Sequence, residues 1–177
     1  KRFEIDRDHL GPIGGSAGGH LSLTLATQGG PGPADAKDPV DRESSAVQAA
    51  VAFFPPTDFL NYGKSGVDAV GVGPLKNFRG AFGLRAATAE GRAALGKEIS
   101  PIYFVHAGMP PILIFHGDAD TLVPIQQSKV FVDKCDEAHS PVKLIVREGK
   151  GHGWPDLGQE LSIAADFFDQ QLLPAKQ

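Results

Sequence analysis

Three short stretches of this sequence hold residues that could do chemistry together. The first is Gly14-Gly15-Ser16-Ala17-Gly18, continued by Gly19-His20, a serine between glycines in a G-x-S-x-G pattern. The second is His116-Gly117-Asp118-Ala119-Asp120, with two carboxylates, and the third is Gly151-His152-Gly153-Trp154. A serine hydroxyl at its free pKa is a poor nucleophile and needs a base to take its proton. Histidine titrates near neutrality, so it can accept that proton and return it to a leaving group. A carboxylate behind the histidine fixes the imidazole tautomer and stabilises the imidazolium. On residue types alone, Ser16, His152 and either Asp118 or Asp120 supply the parts of a nucleophilic site.

Such side chains need elements to position them. A serine at the apex of a strand–turn–helix needs unusual backbone dihedrals, and the glycines around it leave room where strand and helix crowd together. Leu10–Ile13 is the incoming strand, and Leu21, Leu23, Leu25 and Ala26 carry on as a helix. Pro12 fits poorly, because a proline cannot donate to a ladder and is rare inside a central strand. Residues 29–45 read as a surface loop. Val47–Phe54 is an apolar strand stopped by Pro55-Pro56. From Thr57 to Glu98 glycines break the pattern, and the segment reads as an excursion from the sheet with one helix around Ala86–Leu95.

Ile112–Phe115 is continuously apolar, as expected of a strand buried on both faces. Pro124 suits the first turn of a helix whose buried side holds Val130, Phe131, Val132 and Cys135. Val142–Val146 is the next strand. A last helix runs from Leu157 to Leu173, with Leu161, Ala164, Ala165, Phe168 and Leu172 at helical spacing. Strands alternating with helices predict an α/β fold with a parallel sheet. Reactive groups in such sheets gather beyond the carboxyl ends of strands, where all three stretches fall.

With 177 residues, 41% hydrophobic and 21% charged, the chain has the length of one domain and enough apolar residues for a core. A net charge of −4 gives no electrostatic footprint for nucleic acid. No apolar run approaches the length of a membrane span. The single cysteine, Cys135, excludes an internal disulfide and a cysteine zinc cluster, and does not fix the compartment.

Taken together, Gly-Gly-Ser-Ala-Gly-Gly-His at 14–20, His-Gly-Asp-Ala-Asp-Thr-Leu-Val-Pro at 116–124 and Gly-His-Gly-Trp at 151–154 resemble the C-terminal two thirds of an α/β-hydrolase. The nearest likeness is to the carboxylesterase/lipase group that includes bacterial acetyl-xylan and feruloyl esterases. Residues 57–98 match only loosely. The resemblance implies Ser16 as nucleophile, Asp120 as acid, being the last residue of the H-G-x-x-D pattern, and His152 as base. It implies the Ala17 amide as one oxyanion donor. Asp118 is expected to be a turn residue bonding local amides. His20 should pack or hydrogen-bond beneath the serine, and His116 should be structural. His106, His9 and His139 fall in loops or turns. Trp154 either walls the pocket or caps the last helix.

The activity so implied is hydrolysis of a small-molecule or carbohydrate-linked ester through an acyl-enzyme, without metal or cofactor. A prolyl-oligopeptidase-type peptidase shares the H-G-x-x-D pattern, and a non-catalytic relative is an alternative of another class. The acyl and alcohol pockets should draw on residues 57–98. Only fifteen residues precede Ser16, and none forms the Gly-rich loop that carries the family's second oxyanion donor. The resemblance therefore implies that the first strands of the fold are missing. Lys1–Asp6 reads as the tail of a helix, and the chain by itself is expected to self-associate and hydrolyse esters poorly.

Overall fold

The two most continuously apolar runs of the chain form the middle of its sheet. A computed structural model describes residues 5–173 and holds four parallel strands, β1 (Ile13–Gly15), β2 (Ala50–Phe53), β3 (Ile112–Gly117) and β4 (Val142–Arg147), in that spatial order. The helices are α1 (Ala17–Gln28), α2 (Ala89–Ile99), α3 (Gln126–Glu137) and α4 (Gly158–Leu172). The reading of Lys1–Asp6 as a helix tail falls mostly outside the described residues.

Alternate strand residues face opposite sides, and each side finds its own cover. Ala50, Ala52, Ile112 and Ile114 pack with Leu23 and Ala26 of α1 and with Phe131 and Cys135 of α3. Val51, Phe53, Leu113 and Phe115 pack on the other face with Ala164 of α4 and Trp154. Every residue of β2 and β3 is buried, which is why neither strand alternates in polarity. The Cys135 thiol is wholly buried, and burial pushes its pKa up to about 12.

Several expected boundaries and faces move, among them the start of β2, which is Ala50 and not Val47. The ladder of β1 begins at Ile13, not Leu10, directly after Pro12. The proline still accepts a hydrogen bond through its carbonyl, from Val51 N at 2.9 Å, so it sits at the entry to the strand, where a missing donor costs least. In α3 the buried side is Gln127, Ser128, Phe131 and Cys135, while Val130 and Val132 are only half-buried. In α4, Leu161 and Ala165 face solvent; Ala164, Ile163, Phe167 and Phe168 pack on the sheet.

The 57–98 excursion builds a core of its own. Phe59, Tyr62, Val70, Leu75 and Leu95 pack with Val123 from the loop after β3. Two 3-10 segments, Gly73–Phe82 and Leu84–Ala87, precede α2, which starts later than the expected Ala86 because Thr88 caps it. The Thr88 hydroxyl accepts from Gly91 N at 3.0 Å, a cap that typically contributes about 1 kcal/mol. The excursion is tied to the sheet through buried Gln127 of α3. Its Oε1 accepts from Thr57 N at 2.9 Å and Asp58 N at 2.8 Å. Among the described residues, no helix is long and apolar enough to cross a membrane.

Candidate active site

Ser16 sits between β1 and α1 with φ 54 and ψ −116, the left-handed side of backbone space that a serine seldom occupies. Two main-chain bonds hold it there: Ser16 N donates to Phe53 O, and His20 N to Ser16 O, each at 2.9 Å. The glycine requirement is sharper than the motif suggests. A Cβ on Gly14 would lie 2.4 Å from the Gly18 carbonyl carbon, and one on Gly19 would lie 2.9 Å from Phe53 O. A Cβ on Gly18 meets nothing within 4 Å. Crowding therefore demands Gly14 and Gly19, and Gly18 needs no freedom from a side chain of its own.

The loops after β3 and β4 bring Asp120 and His152 to this serine. His152 Nε2 lies 2.8 Å from Ser16 Oγ, and His152 Nδ1 lies 2.8 Å from Asp120 Oδ2. The other carboxylate oxygen, Asp120 Oδ1, accepts from Leu122 N and Val123 N at 2.9 Å each. Asp120 is buried and can only accept, so Nδ1 of His152 carries a proton and a neutral ring offers Nε2 to the serine hydroxyl.

Asp118 takes no part in this relay. Its Oδ1 accepts from Gly149 N at 2.7 Å, so it bonds a backbone amide as expected, but one 31 residues along the chain. Asp118 N to Arg147 O at 3.2 Å and Ala119 N to Lys150 O at 3.0 Å complete a stitch between the two loops. Gly117 is part of that seam, since a Cβ there would lie 2.1 Å from Lys150 O.

Phe54 is a contributor that no sequence pattern singled out. It has φ 39 and packs edge-on against the His152 ring, with centroids 4.7 Å apart and planes at 62°. Trp154 backs Phe54 in turn at 5.8 Å, in the core beneath the site. It neither walls the cavity nor caps α4.

The remaining histidines divide as their surroundings dictate. His116 is fully buried: its Nε2 donates to Val123 O at 2.8 Å and lies 3.5 Å from Asp120 Oδ2, and its Nδ1 accepts from Ser128 Oγ at 2.7 Å. Burial lowers its pKa and keeps the ring neutral, against the opposing pull of the Val123 carbonyl and Asp120. His20 donates from Nε2 to Ile99 O at 2.6 Å, and burial lowers its pKa as well. Exposed His106 and His9 bond their near neighbours, and His139 lies in the turn after α3 with φ 56.

A cavity of about 320 Å³ opens beside Ser16 and Ala17. The excursion supplies much of its wall, through Phe59, Tyr62, Leu75, Phe78 and Phe82. Ala17 is the first residue of α1, where amides have no partner within the helix and the dipole favours negative charge. Among the described residues, no three His, Cys, Asp or Glu side chains gather as a metal-holding group.

Residues 1–135 match the BD-FAE family. The chain belongs to that family. This BD-FAE chain is 33% identical over 169 residues to the probable carboxylic ester hydrolase LipM of Mycobacterium tuberculosis (strain ATCC 25618 / H37Rv), covering 95% of the chain and 37% of LipM. It is 32% identical over 131 residues to esterase LipQ of the same organism, covering 71% of the chain and 28% of LipQ. It thus spans 37% and 28% of the length of these two relatives. Among solved structures, a truncated form of a carbohydrate esterase from gut microbiota superposes with TM-score 0.78 at 28% identity, over 98% of this chain and 63% of that one. Butyrate-bound esterase 2 of Thermogutta terrifontis superposes with TM-score 0.67 at 27% identity, over 97% of this chain and 60% of that one. The parallel sheet and its flanking helices are those of an α/β-hydrolase esterase, as the three motifs imply.

Proposed function

We propose that this BD-FAE chain is the catalytic part of a serine carboxylic-ester hydrolase that works through an acyl-enzyme. The observation that carries this reading is the unbroken relay from Ser16 Oγ through His152 to buried Asp120, with both links at 2.8 Å, at the mouth of an apolar cavity.

In the first half-reaction, His152 Nε2 takes the Ser16 proton as Oγ attacks the ester carbonyl. The carbonyl electron pair moves onto oxygen, where the Ala17 amide donates a hydrogen bond to it. Asp120 stabilises the imidazolium so formed, and its two amide donors hold it in orientation. Collapse of the tetrahedral intermediate expels the alcohol, which leaves with the proton from His152. Water then repeats the sequence, using His152 as base, and releases the acid and free Ser16. Residues 57–98 wall the cavity that takes one side chain of the ester.

Two substitutions test the assignment. Ser16→Ala should cut hydrolysis of a short-chain aryl ester by about 10⁴-fold or more, leaving only the contribution of binding and the oxyanion donor. Asp120→Asn should lose far more turnover than Asp118→Asn, because only Asp120 touches His152. Undiminished turnover by Ser16→Ala would remove serine catalysis, and the reverse ranking of the aspartates would remove Asp120 as the acid.

A further inference from the structure

His20 is a polar residue in the apolar wall that the relay does not use. It lies one turn of α1 beyond Ser16, with His20 N bonded to Ser16 O at 2.9 Å, and it lines the same cavity as the serine. The ring is held from two sides. Nε2 lies 2.6 Å from Ile99 O, and Phe59 meets the ring edge-on with centroids 5.3 Å apart. A carbonyl oxygen can only accept, so the Nε2 proton is committed to Ile99. Burial disfavours a second proton on this ring, which leaves Nδ1 with a lone pair. Among the described residues, Nδ1 has no hydrogen-bond partner. Tyr62, another polar member of the wall, spends its hydroxyl proton on Leu122 O at 3.0 Å.

We propose that His20 Nδ1 is a specificity-determining acceptor, which takes a hydrogen bond from a hydroxyl on the part of the ester lodged in the cavity. This rests on the ester-hydrolase reading and adds to it a substrate class: esters whose cavity-bound group is apolar except for one hydroxyl donor. Four residues of helix rise about 6 Å, so the donor belongs a few bonds from the reacting carbonyl, not next to it. An ester lacking the hydroxyl leaves Nδ1 without a partner once water is excluded, which costs affinity. The contact is the same in ground and transition states, so it should appear mainly in KM.

The probes are 4-nitrophenyl esters of phenylacetic acid and of its 3-hydroxy, 4-hydroxy and 3-methoxy derivatives. A phenyl ring suits an apolar wall that includes Phe59, Tyr62, Phe78 and Phe82, the two hydroxyls bracket the reach to Nδ1, and a methoxy group cannot donate. The expected result is a kcat/KM about fivefold to tenfold higher for one hydroxy ester than for the plain one, carried by KM, with no gain for the methoxy ester. In His20→Phe and His20→Leu, whichever melts cooperatively, the hydroxy-to-plain ratio should fall to near one. Equal kcat/KM for all four esters in the unsubstituted protein, or a preference retained in either folded variant, overturns the role of His20. Failure of the ester-hydrolase reading is separate: it would appear as hydrolysis of the plain ester surviving Ser16→Ala.

Discussion

Gly14 and Gly18 carry the same side chain, and the structure treats them differently. A methyl group on Gly14 would strike the backbone of α1, whereas one on Gly18 meets open space inside a helix. Gly14→Ala should therefore leave little folded protein. Gly18→Ala should raise stability by up to about 1 kcal/mol through helix propensity, read from the midpoint of urea unfolding. One buried histidine and one half-buried one set a pH limit at the same scale. His20 and His116 both have lowered folded pKa values, chiefly through burial. An unfolded histidine binds a proton below about pH 6.5, so beneath that value the unfolded chain holds more protons than the folded one. Stability is then full above pH 6.5 and falls as pH drops towards the two folded pKa values. Urea midpoints that do not decrease between pH 7.5 and 5.5 would contradict the burial of two neutral rings.

The loops beyond β3 and β4 behave as one unit, because Asp118 and Ala119 on one bond Arg147, Gly149 and Lys150 on the other. Asp118→Ala should leave the relay residues in place and free the loop that carries His152. Hydrogen exchange at the Gly149 amide should rise, and ester turnover should fall by less than in Asp120→Asn. Unchanged protection at Gly149 would mean that the stitch is idle. This seam also marks where the sequence stops being readable. Strands β2 to β4 and the order of the three motifs can be read directly, since continuous apolar runs and short motifs are local signals. The partner of Asp118 cannot, because it lies in a different loop. Phe54 is hidden for a related reason: the second of two adjacent phenylalanines at a strand end resembles the first until the chain turns at φ 39 and sets it against His152. In α4 two apolar stripes compete, and tertiary packing chose Ile163 and Phe167 over Leu161 and Ala165.

At the scale of the whole molecule, β1 lies at one side of the sheet and pairs only with β2 among the described residues. Ile13 on it is 47% exposed, and Leu21 of α1 is 60% exposed. A strand edge with apolar neighbours is a template for association. Residues 1–177 should therefore sediment as larger species at rising concentration, and Ile13→Lys should shift them towards monomer. A monodisperse monomer that Ile13→Lys does not alter would refute this use of the edge. The buried thiol of Cys135 gives the same molecule a clock. It is the only sulfhydryl in the chain, and neither thiolate nor access is available while α3 stays packed on the sheet. A thiol-specific dye added under native conditions can mark the protein only when that packing opens, so the pace of labelling reports how often the fold comes apart.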